Sequence, residues 1–140
     1  MIKSIYPVIC SKDVARARDF YAALFDMVVV YDADFYVQLQ ASQDTQTQLG
    51  IVEAGHASIP EGFRVAPKGV LASFEVADVA AYHARAEAMG LRIVLGLRDE
   101  AFGQRHFIAV DPDGLLVDVI EPIAFAAEQS AFIKSERAHC

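Results

Sequence analysis

Apolar positions recur with two different periods along the chain, and the same order of periods occurs twice. Residues 14–24 carry apolar or aromatic side chains at i, i+3, i+7 and i+10, which predicts an amphipathic helix. Residues 79–89 repeat this spacing in the second half. Asp13 and Asp78 precede the two helices, where a carboxylate accepts hydrogen bonds from free backbone N–H groups. Gly90 stands where a helix C-terminal cap is expected.

Short apolar or alternating runs flank each helix and predict strands. One run precedes each helix and three follow it. The predicted strands of the first half are 5–10, 28–31, 35–40 and 46–53, and those of the second half are 70–76, 92–95, 105–110 and 115–120. An Asp-Pro-Asp-Gly turn at residues 111–114 precedes the last strand. Each half is therefore predicted to be a β-α-β-β-β module.

The repeat also predicts the boundaries and the fold class. We predict a first module at about 4–53, an exposed linker at 54–69, a second module at about 70–122 and a tail with a short helix at 123–140. The fold class is α+β, with the two modules forming a curled mixed sheet around a cavity within a single domain. The modules pair either within one chain or between two chains. An enclosed, largely apolar cavity with a few polar groups is typical of a ligand pocket.

Composition narrows the classes of function. The chain has 140 residues, 54% of them hydrophobic, which is enough for a core and excludes a disordered chain. Its formal net charge of −7 repels phosphates, so nucleic acid and membranes are not expected partners. The sequence contains no apolar run of signal-peptide or membrane-span length. Cys10 and Cys140 are too few for a disulfide framework, so we expect unpaired thiols and a cytoplasmic protein.

Three motifs occur in a characteristic order. They are Lys12-Asp13-Val14 followed by Asp19-Phe20-Tyr21, then Phe102-Gly103-Gln104-Arg105, then Asp111-Pro112-Asp113-Gly114. Together with the repeat, they resemble the vicinal oxygen chelate superfamily, which includes glyoxalase I, extradiol dioxygenases and bleomycin-resistance proteins. The resemblance spans about residues 4–122. It implies that in the family's enzymes a divalent metal (Zn, Ni, Mn or Fe) is held by His, Glu or Gln side chains from the first and last strands of each half.

The family's metal positions map onto few donor atoms in this chain. The first-strand position falls on Tyr6 in one half and on Leu71 in the other. The last-strand position falls on Asp118 in the second half, and Gln48 and Gly50 are alternatives in the first. Only Gln48 and Asp118 are then candidate metal ligands, whereas a transition-metal site needs three or four ligands. We therefore predict no cofactor.

The histidines do not supply the missing ligands. His56, His83, His106 and His139 occupy none of the matched positions. We interpret each of them as an ordinary surface or boundary residue.

Strand alternation instead predicts an apolar cavity with a few polar points. We predict that the ligand-binding residues are Tyr6, Gln48, Ser73, Glu75, Phe102 and Asp118. Glu75 and Asp118 would make the cavity negative, which favours a cationic or aromatic small molecule. For Glu75, an orientation toward solvent is the alternative.

Besides a dimeric domain whose cavity is vestigial, two functions remain open, and no catalytic residue is assigned. The first is a metal-free, bleomycin-resistance-like protein that binds a small molecule in a cavity shared by a homodimer. The alternative is an enzyme of the same superfamily, either a glyoxalase-type lyase or an extradiol-type dioxygenase. That alternative requires further ligands, such as Glu53 or His56 together with Asp118.

Overall fold

The computed structural model describes residues 1–134, which fall into two compact units. The first unit comprises residues 1–70 together with 111–115, and the second comprises 71–110 and the residues from 116 onward. The division at residue 70 coincides with the predicted start of the second module, while the single-domain organisation stays a prediction. His139 and Cys140 lie outside the described residues.

The first unit has the predicted β-α-β-β-β order. Its elements are β1 (Val8–Ser11), α1 (Val14–Phe25), β2 (Val28–Asp32), β3 (Tyr36–Ala41) and β4 (Asp44–Glu53). The strands form a four-stranded sheet in the order β1-β4-β3-β2. The sheet is mixed because β1 runs parallel to β4 while the other neighbours are antiparallel.

Helix α1 forms where the apolar period and the capping residue agree. The Asp13 carboxylate accepts a hydrogen bond from the Arg16 N–H at 3.1 Å, which confirms the predicted N-cap. The helix buries Val14, Ala17, Tyr21 and Leu24, the four residues of the predicted stripe. These side chains pack on the face of β3 and β4 that carries the buried residues Val37, Leu39, Leu49 and Ile51. The alternate residues of these strands therefore lie on the other face of the sheet.

Tyr21 of α1 anchors the Asp-Pro-Asp-Gly turn, which belongs to the first unit. The Tyr21 hydroxyl donates to Asp111 Oδ2 at 2.7 Å, and both residues are buried. Asp111 Oδ1 accepts from the backbone N–H groups of Asp113 and Leu115 at 2.8 and 2.9 Å. Burial, and then the charge and hydrogen bond of Asp111, raise the pKa of Tyr21. The predicted turn is confirmed, with a positive φ of 88° at Gly114.

The second unit repeats the topology. Its elements are β5 (Leu71–Glu75), α2 (Val79–Ala88), β6 (Ile93–Glu100), β7 (Gln104–Val110), β8 (Leu116–Pro122) and α3 (Ala127–Ser130). The four strands lie in the order β5-β8-β7-β6, and β5 is parallel to β8. The α+β class is thus confirmed, as two separate four-stranded mixed sheets. Within residues 1–134, no helix combines the length and apolar character that crossing a membrane requires.

Helix α2 is capped at both ends as predicted. Asp78 accepts from the Ala81 N–H at 3.4 Å, and Glu121 of β8 accepts from the Val79 N–H at 3.1 Å. Gly90 follows the helix with a φ of 69°, a left-handed conformation that glycine adopts without steric cost. These caps fix α2 on the sheet of the second unit.

Strand β6 differs from its predicted boundary, whereas the tail agrees with the prediction. The strand continues to Glu100, beyond the predicted end at Leu95, and its pairing with β7 shifts register twice. The shifts interrupt the alternation that would reveal a strand. The tail contains a short helix as predicted. Before this helix, the Phe125 ring packs directly against Gly103, where a Cβ would come within 2.7 Å of the ring. The linker 54–69 contains only turns and irregular structure, and most of it is exposed.

Candidate functional site

The second sheet presents a polar face on the side away from α2, which we call the second-unit face. Phe107, Val117 and Val119 are fully buried on the side that packs against α2, so alternate residues lie on the opposite side. One row across the strands of this face contains Glu75, Ile120, His106 and Arg98, and the next contains Ser73, Asp118 and Ile108. The register thereby brings together residues from all four strands.

His106 is the centre of a buried polar group on this face, the His106 cluster (His106, Glu100 and Asp118). Its Nδ1 lies 2.7 Å from Asp118 Oδ1, and its Nε2 lies 2.8 Å from Glu100 Oε2. His106 is 5% exposed and Asp118 is 7% exposed. Because both ring nitrogens face carboxylates, the imidazolium form satisfies both contacts. Burial lowers the pKa of His106, but the hydrogen bonds to the two carboxylates outweigh it, so the pKa is raised above 6.5.

Two further side chains complete the surroundings of the cluster. Arg98 Nε donates to Glu100 Oε2 at 2.8 Å. The hydrogen bond from His106, and then that from Arg98, lower the pKa of Glu100. Phe102 lies between β6 and β7 and is 47% exposed, and its ring is edge-on to the His106 ring at 6.5 Å. The cluster therefore combines fixed charges with an accessible aromatic surface.

The interpretation of His106 as an ordinary surface or boundary residue is wrong. The signal was present in β7, where His106 alternates with the buried Phe107 and so shares a face with Asp118. The contact between His106 and Glu100 could not be predicted from the sequence, because it depends on the irregular pairing of β6 with β7. His56 and His83 are half-buried boundary residues as interpreted.

Glu75 and Ser73 remain open on the second-unit face. Both are exposed, and no hydrogen bond or ion pair of the Glu75 carboxylate is found within residues 1–134. Glu75 is separated from His106 by one strand, which corresponds to about 10 Å between their backbones. Four of the predicted site residues therefore lie on or beside one face, but the Asp118 carboxylate is engaged by His106 and only Glu75 offers a free charge.

The other two predicted residues, Tyr6 and Gln48, belong to the first unit. The face of its sheet away from α1, the first-unit face, carries three rows. They are Tyr31-Gln38-Gly50-Val8, Val28-Gln40-Gln48 and Tyr36-Val52-Cys10. Tyr6 precedes β1 and is 43% exposed. Burial, and then the neighbouring Tyr6, raise the pKa of Tyr36.

A chain of hydrogen bonds connects the polar residues of this face. The Tyr36 hydroxyl donates to Gln38 Oε1. Gln38 Nε2 donates to Gln48 Oε1 at 2.7 Å, and Gln48 Nε2 donates to the Thr45 carbonyl at 2.8 Å and to Gln40 Oε1 at 3.4 Å. We call Tyr36, Gln38, Gln40 and Gln48 the glutamine–tyrosine cluster.

Strand register equates Gly50, rather than Gln48, with Asp118. Val8 pairs with Gly50 just as Ser73 pairs with Asp118, and Val8 and Ser73 stand at the same distance before their helix caps. A Cβ at Gly50 would overlap the Tyr36 hydroxyl. The glycine therefore allows Tyr36 to lie across β4 at the position of a possible metal ligand.

The donor atoms at the family's positions do not fit a transition metal. Gly50 and Leu71 have no side-chain donor, and the Asp118 carboxylate is occupied by His106. Tyr6 alone would remain, whereas such metals take three or four N, O or S ligands. In the described part of the chain, no three His, Cys, Asp or Glu side chains are grouped to hold a metal.

The chain contains two β-α-β-β-β units, and the sheet of each unit has one polar face. This arrangement is that of a duplicated α+β protein. A family model described as the Glyoxalase/Bleomycin resistance protein/Dioxygenase superfamily matches residues 4–119. The chain therefore belongs to this superfamily. No curated protein matches it in sequence.

Solved structures share the fold at low sequence identity. A protein of unknown function from Agrobacterium tumefaciens str. C58 is 24% identical, with a TM-score of 0.69 over 88% of this chain and 96% of that one. A superfamily member from Sphaerobacter thermophilus DSM 20745 is 21% identical, with a TM-score of 0.69 over 86% and 98%. A lactoylglutathione lyase from Agrobacterium tumefaciens is 19% identical, with a TM-score of 0.66 over 86% and 94%. At these identities the likeness concerns the fold alone.

Proposed function

We propose that the protein is a metal-free small-molecule-binding member of the superfamily, whose ligand carries a cationic or aromatic group and contacts the second-unit face. The observation that carries the proposal is that the Asp118 carboxylate is already hydrogen-bonded within the protein. Its carboxylate is held at 2.7 Å by His106, so the position that would bind a metal instead belongs to a closed group of charges.

The choice of ligand follows from what remains open on this face. Glu75 is an exposed carboxylate, and Ser73 offers a hydroxyl two residues away. Phe102 offers an exposed ring, and an aromatic cation gains from both a carboxylate and a ring face. Arg98 neutralises Glu100, and His106 neutralises Asp118. The negative charge of Glu75 is therefore available to attract a cationic ligand.

A fluorescence titration with proflavine, a planar aromatic cation, tests the proposal. We expect saturable binding, and we expect Glu75→Gln to raise the dissociation constant about tenfold, or about 1.4 kcal/mol. Glu61→Gln, which removes an exposed carboxylate in the linker, is the matched control and should change nothing. The anionic dye 8-anilinonaphthalene-1-sulfonate should bind more weakly than proflavine.

Two results would contradict the proposal. One is proflavine binding that is equal in the wild type and in Glu75→Gln. The other is stoichiometric Zn, Ni, Mn or Fe in the purified protein whose removal by a chelator abolishes binding. The second result would favour the metal-dependent enzymes of the superfamily.

We also propose a homodimer, with the ligand cavity shared between the two chains. The edge strand β2 supports it, because Val28, Val29 and Val30 are 48, 40 and 49% exposed and no charge separates them. Soluble proteins usually protect such edges with charged residues or with a partner. Sedimentation equilibrium at micromolar concentration should give twice the chain mass of 15.3 kDa, and a monomer would contradict this part of the proposal.

A further inference from the structure

The glutamine–tyrosine cluster is an ordered polar surface that the proposed function leaves without a role. Side-chain amides on a sheet surface are usually free to rotate, but here Gln38, Gln40 and Gln48 are fixed by hydrogen bonds to one another. Tyr36 continues the chain through its hydroxyl. Its members are half-buried, so the cluster lies close to the surface without being fully solvated.

The cluster has unused donors. A glutamine amide has two N–H groups and a carbonyl oxygen with two lone pairs. Gln48 uses both N–H groups within the unit, toward Thr45 and Gln40. Gln38 uses one, and no acceptor for either N–H group of Gln40 is found within residues 1–134. In the described part of the chain, three N–H groups therefore remain unused, one on Gln38 and two on Gln40, and each of the three amide oxygens accepts only one hydrogen bond. A neutral group with an acceptor oxygen, such as an amide, can pair with the unused N–H groups without leaving a charge unpaired.

The surroundings of the cluster are uncharged and aromatic. The three rows of the first-unit face contain no Asp, Glu, Lys, Arg or His. Tyr31 lies in the same row as Gln38, is 57% exposed and meets the Tyr36 ring edge-on at 6.3 Å. Placing a charged group against this face would remove its hydration without providing a counter-ion, which is unfavourable.

We propose that the glutamine–tyrosine cluster binds an uncharged planar group that carries hydrogen-bond-accepting oxygens, such as an amide or a conjugated carbonyl. The plane of the ligand stacks on the exposed Tyr31, and its oxygen accepts from Gln38 and Gln40. The proposal rests on the proposed function in treating the sheet faces as ligand sites, and it adds the chemistry of the ligand that the first-unit face selects.

Three probes of the same shape test the selectivity: benzamide, benzoate and benzamidinium. The first is neutral with an acceptor oxygen, the second is anionic, and the third is cationic and has only donors. Titrations are followed by the side-chain amide resonances in a ¹H–¹⁵N correlation spectrum, which report directly on the glutamines. We expect benzamide to shift the Gln38 and Gln40 amides to saturation, with affinity at least tenfold higher than that of either charged probe.

Matched variants establish the location. Gln38→Met and Gln40→Met keep side-chain length and remove the amide, and each should weaken benzamide binding at least fivefold. Gln43→Met, at an exposed turn position, is the control and should bind as the wild type does. The backbone resonances of each variant show whether it is folded, and the two cluster variants give independent readings.

The possible outcomes separate this inference from the proposed function. Equal binding of all three probes, preference for a charged probe, or benzamide binding unchanged in both folded cluster variants would overturn the inference. Binding of proflavine that depends on Glu75 would leave the proposed function standing in that case. Conversely, selective benzamide binding at the cluster without any Glu75-dependent cation binding would support the inference and contradict the cationic part of the proposed function.

Discussion

Replacing His106 by alanine is expected to leave the Asp118 carboxylate buried without its partner. Asp118 is 7% exposed, and its hydrogen bond to His106 is 2.7 Å long. Removing one member of a buried ion pair typically costs about 3–5 kcal/mol. For 140 residues, an unfolding entropy of about 2.1 cal/mol/K per residue gives about 0.3 kcal/mol/K, so Tm should fall by about 10–17 °C.

The measurement is urea unfolding monitored by circular dichroism at several pH values. The pKa of His106 is raised on folding, so its stabilising effect is complete below 6.5 and is lost as pH rises through the folded-state pKa. The difference between wild type and His106→Ala should therefore be largest near pH 6 and decrease toward pH 9. Because the pKa of Glu100 is lowered, its contribution is lost as pH falls below 4.5.

Two controls make the His106 prediction specific. His83→Ala removes a half-buried histidine whose partner Glu87 is mostly exposed, and it should cost less than about 1 kcal/mol. His106→Ala combined with Asp118→Leu removes the buried charge as well, and it should recover most of the lost stability. A loss below about 1 kcal/mol at pH 6, or a loss that does not change with pH, would refute the reasoning.

The other predictions concern the first unit. Tyr21→Phe removes the hydroxyl that donates to the buried Asp111, so unfolding free energy should fall by about 1.5–3 kcal/mol, measured in urea; no change would contradict the anchoring of the turn. Gly50→Ala places a Cβ against the Tyr36 hydroxyl and should cost about 1–3 kcal/mol. In a Tyr36→Phe background the same substitution should cost less, and an equal cost would show that Tyr36 is not the obstacle.

Most of the fold could be predicted because local and periodic signals agreed. Asp13 and Asp78 cap helices whose apolar stripes follow directly, and the Asp-Pro-Asp-Gly turn has its own local chemistry. The repeat then gave the topology of both units. The full length of β6 could not be predicted, since its register shifts place consecutive residues out of alternation.

The candidate site was less accessible to sequence reasoning because its contacts depend on register. Alternation placed Glu75 and Asp118 on one face correctly, yet it could not show that His106 neutralises Asp118 from the neighbouring strand. Likewise, the overlap of Tyr36 with the Cβ position of Gly50 follows from a side chain that crosses to an adjacent strand. Such cross-strand contacts have no fixed sequence spacing.

The bond between Tyr21 and Asp111 has a consequence for how the two halves can diverge. Asp111 comes from the second half of the sequence but lies in the first compact unit, and the repeat counterpart of Tyr21 is the buried Ala86. The first half therefore does not encode a complete unit, because a fragment ending at residue 70 lacks Asp111. A fragment beginning at residue 71 contains the second unit but carries Asp111 without Tyr21. Exchange of the first half for that of a relative should succeed only when the incoming half has a phenol at the position of Tyr21, and exchange of the second half only when it has a carboxylate at the position of Asp111. Circular permutation within the linker keeps both residues.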